Sequence, residues 1–258
     1  MYILDEVISV SRELCLEGGE VAMHYYENLE KVMTKADSSP LTDADLAIDE
    51  IIVSGLQRAF PKIPIVTEER AVNHTTNHSK GTFFLVDPID GTREFINKSK
   101  EFTINIALIE DGNPVAGMVY APALKRLFWG AKNLGSFEET NQGSPKPLAV
   151  RDTDSDALIV VASRSHLNPE TEAFIAKNKV ASVKNAGSSL KFCLIAAGEA
   201  DIYPRFGPTM EWDIAAGHAV LAGAGGVVHT IDGAPISYGQ EHYKSPLFIA
   251  RTGSAKYF

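Results

Sequence analysis

The apolar pattern predicts an α/β protein built in two styles, an α+β first half and an α/β second half. Three observations carry this. Two long amphipathic helical patterns open the chain, an unbroken apolar run and an antiparallel hairpin follow them, and beyond residue 147 short strands alternate with helices.

Residues 3–27 set Ile3, Leu4, Val7, Ile8, Leu14, Val21 and Ala22 at helical spacing, and a second helix carries Leu46, Ile48, Ile51, Ile52, Leu56 and Phe60. Thr42 followed by Asp43 and Asp45 marks its entrance, with acids in the first turn, and Pro61 stops it after Phe60. Residues 63–67 read as a short strand, and 69–80, charged and rich in Asn and His, as a loop. Phe83-Phe84-Leu85-Val86 reads as a buried strand that ends at Asp87-Pro88. Residues 102–109 and 114–120, joined by Asp111-Gly112-Asn113, form a hairpin to which 127–130 adds a third antiparallel strand. Residues 133–147, rich in Gly, Ser, Asn, Gln and Pro, mark an internal boundary. After it, strands at 157–163, 180–184 and 200–203 alternate with helices at 169–178, 188–197 and 213–224. The expected organisation is one unit over 1–258, with an α+β subdomain at 1–147 and an α/β subdomain at 148–258.

A chain of 258 residues buries roughly three quarters of the surface it exposes unfolded, so it finds a core without staples. With 45% hydrophobic and 22% charged residues, disorder, collagen and coiled coil are excluded. The net charge of −9 opposes a nucleic-acid polymer as partner. Local cations or bound metal ions still allow a small phosphate ester. Cys15 and Cys193 sit in apolar helical stretches and are expected to be buried, reduced thiols. Asp5, Glu6 and Arg12 interrupt the window where a secretory signal holds an apolar run. No stretch approaches the ~20 apolar residues of a membrane span. A cytoplasmic protein is expected, with loose peripheral membrane association left open.

Asp87-Pro88-Ile89-Asp90-Gly91-Thr92 stands at the end of the apolar strand, where Asp is a poor choice for packing alone. Pro88 is expected to fix a turn, so that Asp87, the carbonyl of Ile89 and Asp90 converge as the all-oxygen ligand set that Mg²⁺ favours. Gly91 and Thr92 would offer backbone N–H groups to an anion. Alone, the segment also reads as an Asp-Gly turn capped by Asp87. Asp45 alone reads as a helix-dipole acid, and so does Asp213, which follows Trp212 at a helix start. Together with Glu68 and Glu69 at the end of the preceding strand, they suggest two or more metal ions that clamp a phosphate and activate water. No Cys/His spacing supports zinc, and no G-x-x-x-x-G-K-[ST] supports a P-loop.

Glu68-Glu69, D-P-I-D-G-T at 87–92 and W-D-I-A-A-G at 212–217 follow one another in an order that spans essentially the whole chain. In this the sequence resembles the lithium-sensitive, magnesium-dependent phosphatase superfamily of inositol monophosphatase and fructose-1,6-bisphosphatase. Within it the chain is similar to the CysQ-type 3′(2′),5′-bisphosphate nucleotidases. Arg93-Glu94-Phe95-Ile96 follows the metal motif and Tyr203-Pro204-Arg205-Phe206-Gly207-Pro208-Thr209 comes later, whereas inositol monophosphatases usually continue D-G-T with T-N-F.

The resemblance implies a layered αβαβα sandwich that hydrolyses 3′-phosphoadenosine 5′-phosphate to AMP and phosphate. It extends to the 3′-phosphate of 3′-phosphoadenylyl sulfate, in sulfur assimilation and nucleotide recycling. It implies two to three Mg²⁺ ions: the first on Glu68, Asp87 and the carbonyl of Ile89, the second on Asp87, Asp90 and Asp213, and a looser third on Glu68. Thr92, oriented by Asp45, would help to deprotonate the attacking water, whose pKa the ions lower, so no histidine base is required. The Gly91 and Thr92 amides would receive the scissile phosphate, with Asp213 also bordering the substrate. Gly187-Ser188-Ser189-Leu190-Lys191 opens a helix after a strand, and its N–H groups and the Lys191 ammonium suit a second phosphate or the ribose edge. Ser163 and His166, in an S-R-S-H segment that matches the family's strand-end T-R-S-H, are carried over as adenosine or ribose contacts, and Arg205 as an anion partner. Taken singly, these residues also suit a helix cap, a loop histidine and an exposed basic side chain. The partner is thus a small 3′-phosphorylated adenosine nucleotide, and the assembly a monomer or homodimer. Two other readings stay open: an inositol monophosphatase or broad sugar phosphatase with the same metal centre, and a non-catalytic nucleotide or Mg²⁺ sensor.

Overall fold

A computed structural model describes residues 3–28, 32–34, 40–71, 80–154, 156–163 and 168–257. The two opening helices form where the spacing predicts them, as α1 (Leu4–Glu27) and α2 (Asp43–Ala59). Between them lies an antiparallel ribbon, β1 (Val32–Thr34) and β2 (Pro40–Thr42), which the sequence did not suggest. α2 starts on a capping box in which Asp45 Oδ2 accepts from Thr42 N at 2.8 Å and Thr42 Oγ1 at 2.6 Å.

A seven-stranded sheet follows, its strands side by side in chain order. These are β3 (Ile65–Thr67), β4 (Thr82–Asp90), β5 (Thr103–Glu110), β6 (Asn113–Ala121), β7 (Arg126–Ala131), β8 (Gly135–Thr140) and β9 (Lys146–Pro147), with the short α3 (Thr92–Ile96) after β4. β3 and β4 are parallel and every later pair is antiparallel. The expected hairpin and third strand are β5, β6 and β7. The stretch at 133–147, expected as a boundary, instead carries β8 and β9. Phe137 stacks on Trp129 at 4.3 Å and buried Ser136 Oγ donates to Val220 O at 2.7 Å, long-range contacts that composition does not reveal.

The second half contains β10 (Leu158–Ser163), α4 (Pro169–Lys177), β11 (Val180–Ala186), α5 (Leu190–Ala196), β12 (Ile202–Arg205), α6 (Glu211–Gly223), β13 (Gly226–Thr230) and β14 (Phe248–Thr252). The strands form a sheet of order β11-β10-β12-β14-β13. β10 pairs in parallel with β11 and β12, as the strand–helix alternation predicts. β14 pairs antiparallel with both β12 and β13, so the sheet is mixed.

Five layers result. α1 and α2 cover one face of the large sheet, α5 and α6 fill the space between the two sheets, and α4 packs on β12 beyond the small sheet. The register explains the unbroken apolar run of β4. Phe84 and Val86 join Ile48, Ile106 and Met118 beneath α1 and α2, while Phe83 and Leu85 join Phe192 and Val220 beneath α5 and α6. Each such side chain is worth about 1.5–3 kcal/mol buried rather than exposed. α6 lies close against β6 because position 117 is glycine, where a Cβ would sit 2.4 Å from Ala216 O. Among the described residues no helix is long and apolar enough to cross a membrane. Cys15 and Cys193 are buried and unpaired, as expected.

Candidate active site

The site is made where β4 stops being regular. Asp87 pairs with Asn105 and Asp90 with Thr103, so Pro88 and Ile89 together oppose the single residue Ile104. This is a bulge rather than the turn that the sequence suggested, and β4 continues through it to Asp90. In a regular strand, residues three apart point to opposite faces. The extra residue cancels that alternation, and both carboxylates emerge on the face that looks toward α5 and α6. Proline suits the position because it supplies no ladder donor. Glu68 follows β3, and its N–H donates to Val86 O at 3.1 Å, so it stands beside Asp87 at the ends of two parallel strands.

Gly91 then takes φ 89°, and its Cα approaches the other half of the molecule so closely that a Cβ would meet Ser188 Oγ at 2.3 Å. Thr92, the first residue of α3, has no acceptor for its N–H within the helix. Its Oγ1 lies 3.4 Å from Asp45 Oδ1 and 3.2 Å from Ile89 O. Asp45 is buried at the start of α2, behind Thr92.

The opposite wall comes from α5, α6 and their approaches. Ser189 N donates to Asp90 Oδ2 at 2.6 Å, and Ser189 Oγ lies 2.8 Å from the same oxygen and 2.7 Å from Asp213 O. Asn105 Nδ2 donates to Ser189 Oγ at 2.7 Å. On α6, Asp213 Oδ2 accepts from Thr209 Oγ1 at 2.6 Å and Met210 N at 2.9 Å. These bonds fall on Oδ2 of each aspartate, and among the described residues neither Oδ1 has a hydrogen-bond partner.

Both aspartates are held above the ordinary carboxylate range, first by burial and then by like charge, Asp90 from Asp213 and Asp213 from Glu68. Burial pushes the Lys191 ammonium down to about 8, opposed by the charge of Asp90. Its Nζ donates to Ser188 O at 2.6 Å and stands 5.1 Å from the Tyr203 ring centroid. Arg205 donates from one nitrogen to Pro208 O at 2.8 Å, and its Nε has no partner among the described residues.

A family model described as the inositol monophosphatase family matches residues 3–254. The chain belongs to the inositol monophosphatase family. Among curated members, the 3′(2′),5′-bisphosphate nucleotidase CysQ of Escherichia coli is 41% identical over 249 residues, 95% of this chain and 98% of that protein. The CysQ of Buchnera aphidicola is 42% identical over 238 residues, covering 92% and 87%. The crystal structure of CysQ from Bacteroides thetaiotaomicron matches with a TM-score of 0.79 at 36% identity, over 96% of this chain and 97% of that one.

In this family member, one cavity of about 280 Å³ brings together Glu68, Asp87, Ile89, Asp90, Gly91, Thr92, Ser163, Lys191, Arg205 and Asp213. Asp45 sits behind Thr92. Gly187 sits behind Ser188, and its N–H is engaged by Glu101 Oε2 at 3.0 Å, so that amide is not offered to a phosphate. His166 lies outside the described residues. The acidic donors are all hard oxygens, Asp87 buried and Glu68, Asp90 and Asp213 half-buried, and they repel one another, which is the chemistry that suits a hard divalent cation. Among the described residues no three acidic, His or Cys side chains form one tight cluster, and the donors ring the cavity from β3, β4 and α6 instead.

Sequence reasoning missed Ser189, Thr209 and Glu94. In the sequence Ser189 reads only as part of a helix start and Thr209 only as part of a family motif. Glu94, buried in the cavity wall, served only to tell one family branch from another. For Ser189 and Glu94 the signal that could have found them is polarity next to a buried apolar neighbour, Leu190 and Phe95 respectively, whereas Thr209, between Pro208 and Met210, carries no such signal.

Proposed function

We propose that this chain is a Mg²⁺-dependent 3′(2′),5′-bisphosphate nucleotidase that removes the 3′-phosphate of 3′-phosphoadenosine 5′-phosphate, giving AMP and phosphate. The observation that carries the reading is a cavity lined both by carboxylates, at Glu68, Asp87, Asp90 and Asp213, and by cations, at Lys191 and Arg205. A monophosphate of a neutral alcohol has no use for cationic side chains beside the carboxylates, whereas a bisphosphate nucleotide brings a second phosphate for them. The likeness to CysQ of Escherichia coli and Buchnera aphidicola supports the same substrate.

Glu68, Asp87 and Ile89 O would hold one ion, Asp87, Asp90 and Asp213 a second, and Glu68 a looser third. When bound, Mg²⁺ supplies positive charge for the phosphate and acidifies water. The chain's own residues do the rest. The Gly91 and Thr92 amides bind the scissile phosphate. Thr92 Oγ1 donates to Asp45 and so turns a lone pair toward the proton of the attacking water. Lys191 and Arg205 hold the 5′-phosphate, and Ser163 and His166 contact the ribose or adenine, with Gly187 allowing the close approach of Glu101. 3′-Phosphoadenylyl sulfate offers the same two phosphates, its sulfate beyond the 5′-phosphate.

The test is phosphate release from 3′-phosphoadenosine 5′-phosphate and inositol 1-phosphate at equal concentration, with and without Mg²⁺. Mg²⁺-dependent release favouring the nucleotide is expected. Preference for inositol 1-phosphate would overturn the substrate, and release from neither would point to a sensor.

A further inference from the structure

We infer that Glu211 is a positioning residue for Asp213, acting through residues 238–245, which strap the start of α6. The inference rests on the reading of Asp213 as a metal ligand. Glu211 is 1% exposed and does not line the cavity. A carboxylate is a costly way to fill buried space unless hydrogen bonds compensate it, so its partners define its purpose. Its two oxygens accept separate backbone donors, Oε2 from Gly239 N at 2.7 Å and Oε1 from Gln240 N at 2.9 Å.

The strap touches the residues just before Asp213 one after another. Ser245 N donates to Thr209 O at 3.0 Å, Met210 forms an isolated antiparallel bridge with Lys244, and Glu211 clamps residues 239 and 240. Tyr238 and Tyr243, both buried, anchor it from below. The Tyr238 hydroxyl lies 2.9 Å from His218 Nδ1 on α6, and the Tyr243 ring packs 6.0 Å from that of Trp212. Thr209 and Met210, tied in this way, supply both hydrogen bonds to Asp213 Oδ2. The aim of Asp213 into the cavity therefore depends on a segment that lies outside it, and Glu211 is the side chain that fastens that segment.

Two variants test this. Glu211→Gln keeps the size but offers one acceptor to two donors. Gln240→Pro removes one donor where φ is already −72°, which proline accepts. Mg²⁺ binding is measured by titration calorimetry without substrate, beside kcat and KM for 3′-phosphoadenosine 5′-phosphate and the circular dichroism melt. Since partners that orient a metal ligand typically change affinity about 10–100-fold, Glu211→Gln should weaken Mg²⁺ binding in that range and Gln240→Pro by less. Saturating Mg²⁺ should restore most of kcat with KM unchanged. A lowered melting temperature with unchanged Mg²⁺ affinity in both variants overturns the inference. If Glu211→Gln does not fold, Gln240→Pro decides alone. Absence of Mg²⁺ binding by the unmodified protein overturns the reading of Asp213 and this inference with it.

Discussion

Asp90 and Asp213 line the same cavity, yet they are held in opposite ways. Asp90 takes its two shortest hydrogen bonds from Ser189, 99 residues further along the chain, whereas Asp213 takes both of its bonds from Thr209 and Met210, in the turn just before it. One carboxylate is placed by the docking of the two halves, the other by its own helix start and the strap behind it. The site is thus complete only where the halves meet, although the hydrogen bonds to Asp213 come from its own turn.

The strongest way to break this comparison is to remove charge from the docked side. Asp90→Asn should bring phosphate release down to background while the circular dichroism spectrum is unchanged, and near-normal turnover would remove Asp90 from the metal set. Thr92→Val comes next. It should lower kcat by roughly 10²–10⁴-fold, the usual worth of a positioned proton acceptor, with Thr92→Ser keeping most of the rate. Equal losses in the two variants would show that the hydroxyl is not what matters.

The comparison is sharpened by Ser189→Ala beside Thr209→Val. Ser189→Ala loosens the bridge from Asp90 to Asp213 and should cost about 1–3 kcal/mol in urea unfolding as well as turnover, because a buried carboxylate loses a hydroxyl partner. Thr209→Val removes one of two local bonds and should cost about 1 kcal/mol or less, with a smaller loss of turnover. Equal unfolding costs would erase the distinction between docked and local carboxylates.

The smallest effect on turnover is expected at His218, which does not line the cavity and acts on the pH dependence of stability. Burial pushes His218 down to about 4 from 6.5, with the nearby His229 adding to the shift. Between these values the unfolded chain binds more protons than the folded one. Stability is therefore full above the unfolded pKa and falls as pH drops toward the folded one, by up to about 3 kcal/mol from this group. His218→Gln should flatten that part of the curve when urea midpoints are compared near pH 7 and near pH 4.5. An unchanged slope would show that His218 is not the group responsible.

The local wall was the more legible one in the sequence. A capping acid after Trp212 and a Thr-x-x-Asp start before α2 are short-range patterns, and both form as read. The two aspartates of D-P-I-D were legible as a pair, but the cause of their shared face was not, because a bulge is defined by what the neighbouring strand does at Ile104. Ser189 escaped for the same reason, since its importance comes from Asp90 and from Asn105 on β5. Residues 133–147 look like a linker in composition, but β8 is held by pairing with β7 and by Ser136 against α6. The antiparallel β13 and β14 were missed because five-residue strands give little periodicity to read.

The most direct test of the account is to identify the products from 3′-phosphoadenosine 5′-phosphate by phosphorus NMR, with Mg²⁺ and with the ion chelated. The account predicts 5′-AMP and inorganic phosphate, formed only when Mg²⁺ is present. Formation of adenosine 3′-phosphate would show that the 5′-phosphate is the scissile one and contradict it, as would equal turnover without the metal.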